Sequence, residues 1–218
     1  MRDCLNALSS SILGFYPNKS TLEILSEKEW GIFSEEHNLP NGISGNYIPH
    51  EQKAYVLYGE ENELIKRASH EYIGHANFCE HNIIGKKIVD LNKEIFSLEE
   101  ELFGSKFPKN KKIRLAVGKE KGIIENEDIL IIIPEYEKER IMFYSKIRTS
   151  SEQFFQQNYE LYEGFALWIE SKIGERISPS RIGYQGFLQI KKIESESNFL
   201  LQIGFMPIKQ EVNAGWQH

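Results

Sequence analysis

Cysteine is nearly absent from this chain of 218 residues, with only Cys4 and Cys79 present, so no disulfide framework can be read from it. That suits a reducing compartment. A basic surplus is also missing: the net charge is −6 and the charged residues are dispersed, which excludes the electrostatic footprint of a nucleic-acid partner. No purely apolar run is longer than Ile129 to Ile133, which is far too short to span a bilayer. The start, Met1-Arg2-Asp3-Cys4-Leu5-Asn6-Ala7-Leu8, is interrupted by polar residues before any apolar core forms and makes a poor signal peptide. The expectation is a cytoplasmic protein with no membrane and no nucleic acid among its partners. Internal repeats and low-complexity tracts are absent too. Alanine is scarce beside Glu, Lys and Ile, a bias of genome composition or heat adaptation that carries no chemistry. The length supports a substantial core and one domain over 1–218, with a C-terminal subdomain over 175–218 as the alternative.

What is present is a short segment dense in chemistry, His70-Glu71-Tyr72-Ile73-Gly74-His75. Two imidazoles flanking a carboxylate are the raw materials of a hydrolytic zinc site. With six His in 218 residues, a His-Glu-x-x-x-His match is expected about 0.02 times by composition alone. The two His are five apart, which on an ideal helix turns one ring roughly 140° from the other, against about 40° for a spacing of four. One wide, π-type turn restores them to a common face, and Gly74 is the residue that tolerates it.

Catalytic zinc takes three protein ligands and keeps one position for water. The candidate third ligand is Glu163, in Tyr162-Glu163-Gly164-Phe165-Ala166-Leu167-Trp168. That segment falls in a helix expected to begin near Ser150, with Thr149-Ser150-Ser151-Glu152 as its capping box. Tyr159, Ala166 and Leu167 share its face, so the carboxylate is expected to be buried and to need a partner. Gly164 costs on the order of 1 kcal/mol in mid-helix, a cost explained if another helix approaches there, beside the small Ala166. Glu160 and Glu170 lie on nearly the same face and are its substitutes.

These two segments resemble the zinc site of the gluzincin metallopeptidases. His70 to His75 is similar to the expanded motif of the dipeptidyl peptidase III family, and Glu163 to Ala166 is similar to the zinc-binding Glu segment of the leucyl and alanyl aminopeptidases. The resemblance covers about a dozen residues; Tyr162 stands where those aminopeptidases have Asn, and no Gly-x-Met-Glu-Asn segment is present. It implies a Zn2+ cofactor held by His70, His75 and Glu163, with Glu71 as general base, and a peptide or protein substrate. Gluzincins also use a Tyr or His outside the zinc motif to steady the oxyanion. Tyr184 is the first choice here, with Tyr159, Tyr162, Tyr144 and Tyr136 as alternatives.

Rival assignments remain for several of these residues. His70, Glu71 and His75 also fit an ordinary helix with satisfied side chains. His81 follows His75 by six, the metzincin gap for a third His, but Phe78 replaces the Gly that motif needs. Cys79 suits a small buried hydrophobe. The expected fold is α+β and predominantly helical: a zincin-like domain with a small sheet whose edge strand precedes the active-site helix. Helices are expected over Thr21–Glu36, Glu61–Glu80 and Ile88–Phe103, and a further one is opened by Pro134. The stretch Gly42 to Tyr58 is expected to be extended and to end in an edge strand, Tyr55 to Tyr58, walling the cleft. Ile113–Val117 and Ile129–Ile133 read as strands and Gly104–Lys112 as a loop, while Phe187 to Phe205 fits a hairpin or a helix pair. The function expected is zinc-dependent peptide hydrolysis; the alternatives are an inactive zincin-like binding or scaffold protein and a zinc hydrolase of a non-peptide amide.

Overall fold

The computed structural model describes residues 1–104, 113–118, 122–125 and 129–206. The chain is predominantly helical with small mixed sheets, an α+β architecture. Helix α1 (Arg2–Leu13) comes first and buries Leu5, Ser9 and Leu13, a stripe four residues apart. No helix was expected in this stretch, whose buried stripe carries a serine between its two leucines.

Strand β1 (Thr21–Leu25) and helix α2 (Glu27–Glu36) occupy the stretch expected to be one helix. The break is at Ser26, whose hydroxyl caps the Glu29 backbone N–H while the Glu29 carboxylate accepts from Ser26 N–H. What makes 21–25 a strand is its parallel partner β3 (Lys53–Leu57), some thirty residues on. β3 pairs on its other side with antiparallel β2 (Gly45–Ile48), giving the order β1-β3-β2. The expectation of an edge strand at 55–58 is therefore corrected: β3 is central, and the edge that follows Gly42 is β2.

Helices α3 (Glu61–Ala68) and α4 (Asn77–His81) are joined without interruption by a π-helical segment, Ser69–Ala76, which holds the motif. Asn82 caps helix α5 (Ile83–Phe103), longer at its start than the Ile88–Phe103 expected. Strands β4 (Ile113–Gly118), β5 (Gly122–Glu125) and β6 (Ile129–Pro134) form a second sheet in the order β4-β6-β5, and the loop expected after Gly104 lies outside the described residues. A single 3₁₀ turn at Glu135–Glu137 leads from Pro134 into helix α6 (Lys138–Lys172). The helix start expected at Ser150 is thus corrected: no Gly or Pro interrupts 138–163, and Ser151 is buried inside a continuous helix.

Helices α7 (Tyr184–Ile193) and α8 (Phe199–Gln202) make the C-terminal segment a helix pair, not a hairpin. Phe187, Ile190, Ile203 and Phe205 enter the main core with Tyr72, Ile73, Phe165 and Trp168. A second, smaller core of Leu102, Phe103, Ile131, Ile133 and Tyr144 ties the ends of α5 and α6 to the second sheet. The chain before β1 is clamped to the motif helix by Glu80, whose buried carboxylate accepts the backbone N–H groups of Asn18, Lys19 and Ser20 at 2.8, 3.1 and 2.6 Å. Among the described residues no helix is long and apolar enough to cross a membrane.

Candidate metal centre

The spacing of five between His70 and His75 is accommodated by the π segment, which widens the turn. Both rings then point to one side, and their Nε2 atoms stand 3.1 Å apart with the ring planes nearly perpendicular. His70, Glu71 and His75 each present a ligand atom within 4.8 Å of the others, a group able to hold a metal ion.

Helix α6 closes the site from the opposite side. A Cβ on Gly74 would come within 2.8 Å of Ala166 Cα, so the motif segment and α6 touch backbone to backbone where both side chains are smallest. Glu163, one turn before Ala166, is delivered between the imidazoles: Oε2 is 3.6 Å from His70 Nε2 and Oε1 is 3.7 Å from His75 Nε2. The rotation of α6 is set from its far side by α7. Gly164 and Gly186 meet there, with a Cβ on the former 2.4 Å from the latter's carbonyl carbon, and Gly183, at φ +83°, lies against Glu163 Cβ. The cost of Gly164 is thus recovered in the contact with α7, while the approach beside Ala166 belongs to Gly74.

The two substitutes for Glu163 face elsewhere. Glu160 is directed toward α7, where its carboxylate accepts from Gly186 N–H at 3.4 Å. Glu170, 2% exposed, lies behind the first His, its Oε1 2.6 Å from His70 Nδ1. Both oxygens of Glu170 also accept from Arg181, at 2.6 and 3.0 Å, in a bidentate pair. Arg181 was not foreseen; the only signal in the sequence was that Glu170 lies two turns beyond Glu163, on the same helix face. His75 is oriented by packing instead, its ring stacked on Tyr162 at 4.1 Å. Its Nδ1 is buried and has no hydrogen-bond partner among the described residues.

Burial and charge pull these groups apart. Burial would lower the His70 pKa, but Glu163 and Glu170 outweigh it and raise it to about 10. Burial wins at His75, taking it down to about 3. Burial also pushes Glu71 up to about 7, against the attraction of His70. Glu163 is held below the usual carboxylate range: burial opposes this, and the two imidazoles overcome it.

A cavity of about 1380 Å³ opens over the site and is lined by the four motif side chains, by β2 and by the facing sides of α5 and α6. Tyr47, Tyr144, Tyr159 and Tyr162 line it; Tyr184, the first choice as oxyanion donor, does not. Tyr184 opens α7 and packs on Phe187, because the turn at Gly183 directs the chain behind Glu163. Tyr136 is exposed on the turn before α6. His81 contacts the Tyr16 carbonyl and the Phe15 ring, and Cys79 is buried in the main core, so neither joins the site.

No protein-family model, curated protein or solved structure matches this chain.

Proposed function

We propose that this chain is a zincin-like, zinc-dependent peptidase, with His70, His75 and Glu163 as the ligands and Glu71 as the general base. The observation that carries this reading is the convergence of three donor groups from two helices. Donors about 2.0–2.1 Å from a tetrahedral zinc are about 3.3 Å from one another. The two Nε2 atoms are 3.1 Å apart, and Glu163 sets one oxygen 3.6 Å from the first imidazole and its other oxygen 3.7 Å from the second; two His with one Glu is a ligand set of catalytic zinc. The Glu170 carboxylate behind His70 is the outer partner that a ligating His ordinarily has, fixing which ring nitrogen is free.

Zinc, when bound, lowers the pKa of a water and polarises a carbonyl. The chain supplies the rest. Glu71, in a dry environment that raises its pKa, accepts the proton as the water attacks and passes it to the leaving nitrogen. The peptide C–N bond breaks, hydroxyl goes to the acyl carbon and hydrogen to the amine, with no further reactant. Tyr159 replaces Tyr184 as the proposed oxyanion donor: it lines the cavity one turn before Glu163, and burial raises its pKa, keeping the hydroxyl protonated. β2 pairs on one side only and lines the same cavity, so its outer edge offers main-chain hydrogen bonds to an extended substrate.

Elemental analysis of the purified chain tests this directly. One zinc per wild-type chain and much less in Glu163→Ala is expected. Absence of zinc after reconstitution would overturn the proposal and leave a binding or scaffold protein.

A further inference from the structure

The position of the metal ligands along the cavity says more about the substrate than the ligands do. We infer that the cavity is a groove for the interior of an extended polypeptide, making this an endopeptidase; the inference rests on the peptidase reading above.

The cavity wall on α6 runs from Tyr144 to Glu170, and on α5 from Ile88 to Phe103. At 1.5 Å rise per residue, Tyr144 lies about 28 Å from Glu163 along α6, and Glu170 about 10 Å on the other side. An extended chain advances about 3.3 Å per residue. The groove thus has room for about eight residues on one side of the scissile bond and about three on the other. Its volume of about 1380 Å³ also exceeds the roughly 300–1,000 Å³ of small-molecule sites, which disfavours a small amide.

A long groove can still serve an exopeptidase if a charged group at one end holds a free terminus. Among the described residues the charges along these walls have partners within the fold instead. At the short end Lys66 pairs with Glu175 at 2.9 Å, Arg67 donates to the Leu57 carbonyl at 3.1 Å, and Arg181 is held by Glu170. At the long end Glu99 accepts from Tyr144, and Glu152 accepts from Arg148. Between these ends the lining includes Ile88, Ile95 and Phe155, surfaces suited to side chains along a polypeptide. The scissile position is therefore internal to the groove, and no terminal charge is needed to reach it.

The test uses the zinc-loaded full chain and fluorescence-quenched peptides of four to fourteen residues, acetylated at the N-terminus and amidated at the C-terminus, with cut sites mapped by mass spectrometry. Cleavage of the blocked peptides at internal bonds is expected, with kcat/KM rising about tenfold or more between four and twelve residues. Removal of one or two residues from free-ended peptides, with blocked ones left intact, would overturn this inference while the peptidase reading stands. No cleavage of blocked or free peptides by the zinc-loaded chain would overturn both.

Discussion

Gly45 lies directly against the carboxylate of Glu71: a Cβ built on Gly45 would stand 2.8 Å from Glu71 Cγ and 2.9 Å from Oε1. The edge strand and the proposed base are thus in contact, and the missing side chain gives the carboxylate its room. In Gly45→Ala the carboxylate has to move while the proposed metal donors do not. Activity is expected to fall about tenfold to a hundredfold with zinc content unchanged, as read by kcat beside elemental analysis.

Glu71→Gln keeps the shape and removes the base. Zinc should remain near one per chain, and kcat should drop by about 10² to 10⁴. Full activity in this variant would sink the mechanism.

The link from Arg181 through Glu170 to His70 predicts a different signature. Glu170→Gln weakens the hold on the imidazole while leaving His70, His75 and Glu163 in place. Zinc affinity, measured by competition with a chelator, is expected to fall about 10–100-fold.

Away from the site, Glu194 accepts from Trp168 Nε1, Lys172 and Lys191 at 2.8, 2.8 and 2.6 Å. Burial opposes ionisation, but these partners win and pull its pKa from 4.5 down to about 2. A depressed carboxylate stabilises the fold fully above its unfolded value, and that contribution is lost as the pH falls from 4.5 toward about 2. Glu194→Gln is expected to cost about 1 kcal/mol near neutrality, given the group's partial exposure, or roughly 2–4 °C in Tm. The gap from wild type should shrink when melting is measured at pH 3 instead of pH 6.5.

Much of the site was legible in the sequence because its signals are local. The extra residue between His70 and His75 demands a wide turn whatever surrounds it, and the structure places a π segment there. Glu163 stood in an apolar run next to a costly glycine, and it is the carboxylate that reaches both imidazoles. The stripe from Ile88 to Leu102 marked a helix because a period of 3.6 needs no partner to be visible.

What the sequence by itself determined, then, is the chemical inventory and the local geometry that inventory requires: the motif, its wide turn, the helical periods and the predominance of helix. The tertiary structure alone decided which groups meet. Thr21–Leu25 is a strand because β3 is there to pair with it, and β3 is central because β1 and β2 take its two sides. Glu160, Glu163 and Glu170 are near-equivalent on a helical wheel; the backbone contact of Gly164 with Gly186 and of Gly74 with Ala166 sets the rotation of α6 and gives each a separate role. Tyr184 falls outside the cavity for a related reason, since Gly183 turns the chain behind Glu163. Strand pairing and helix rotation are settled by contacts between residues far apart in the chain, and short-range propensity carries no record of those contacts.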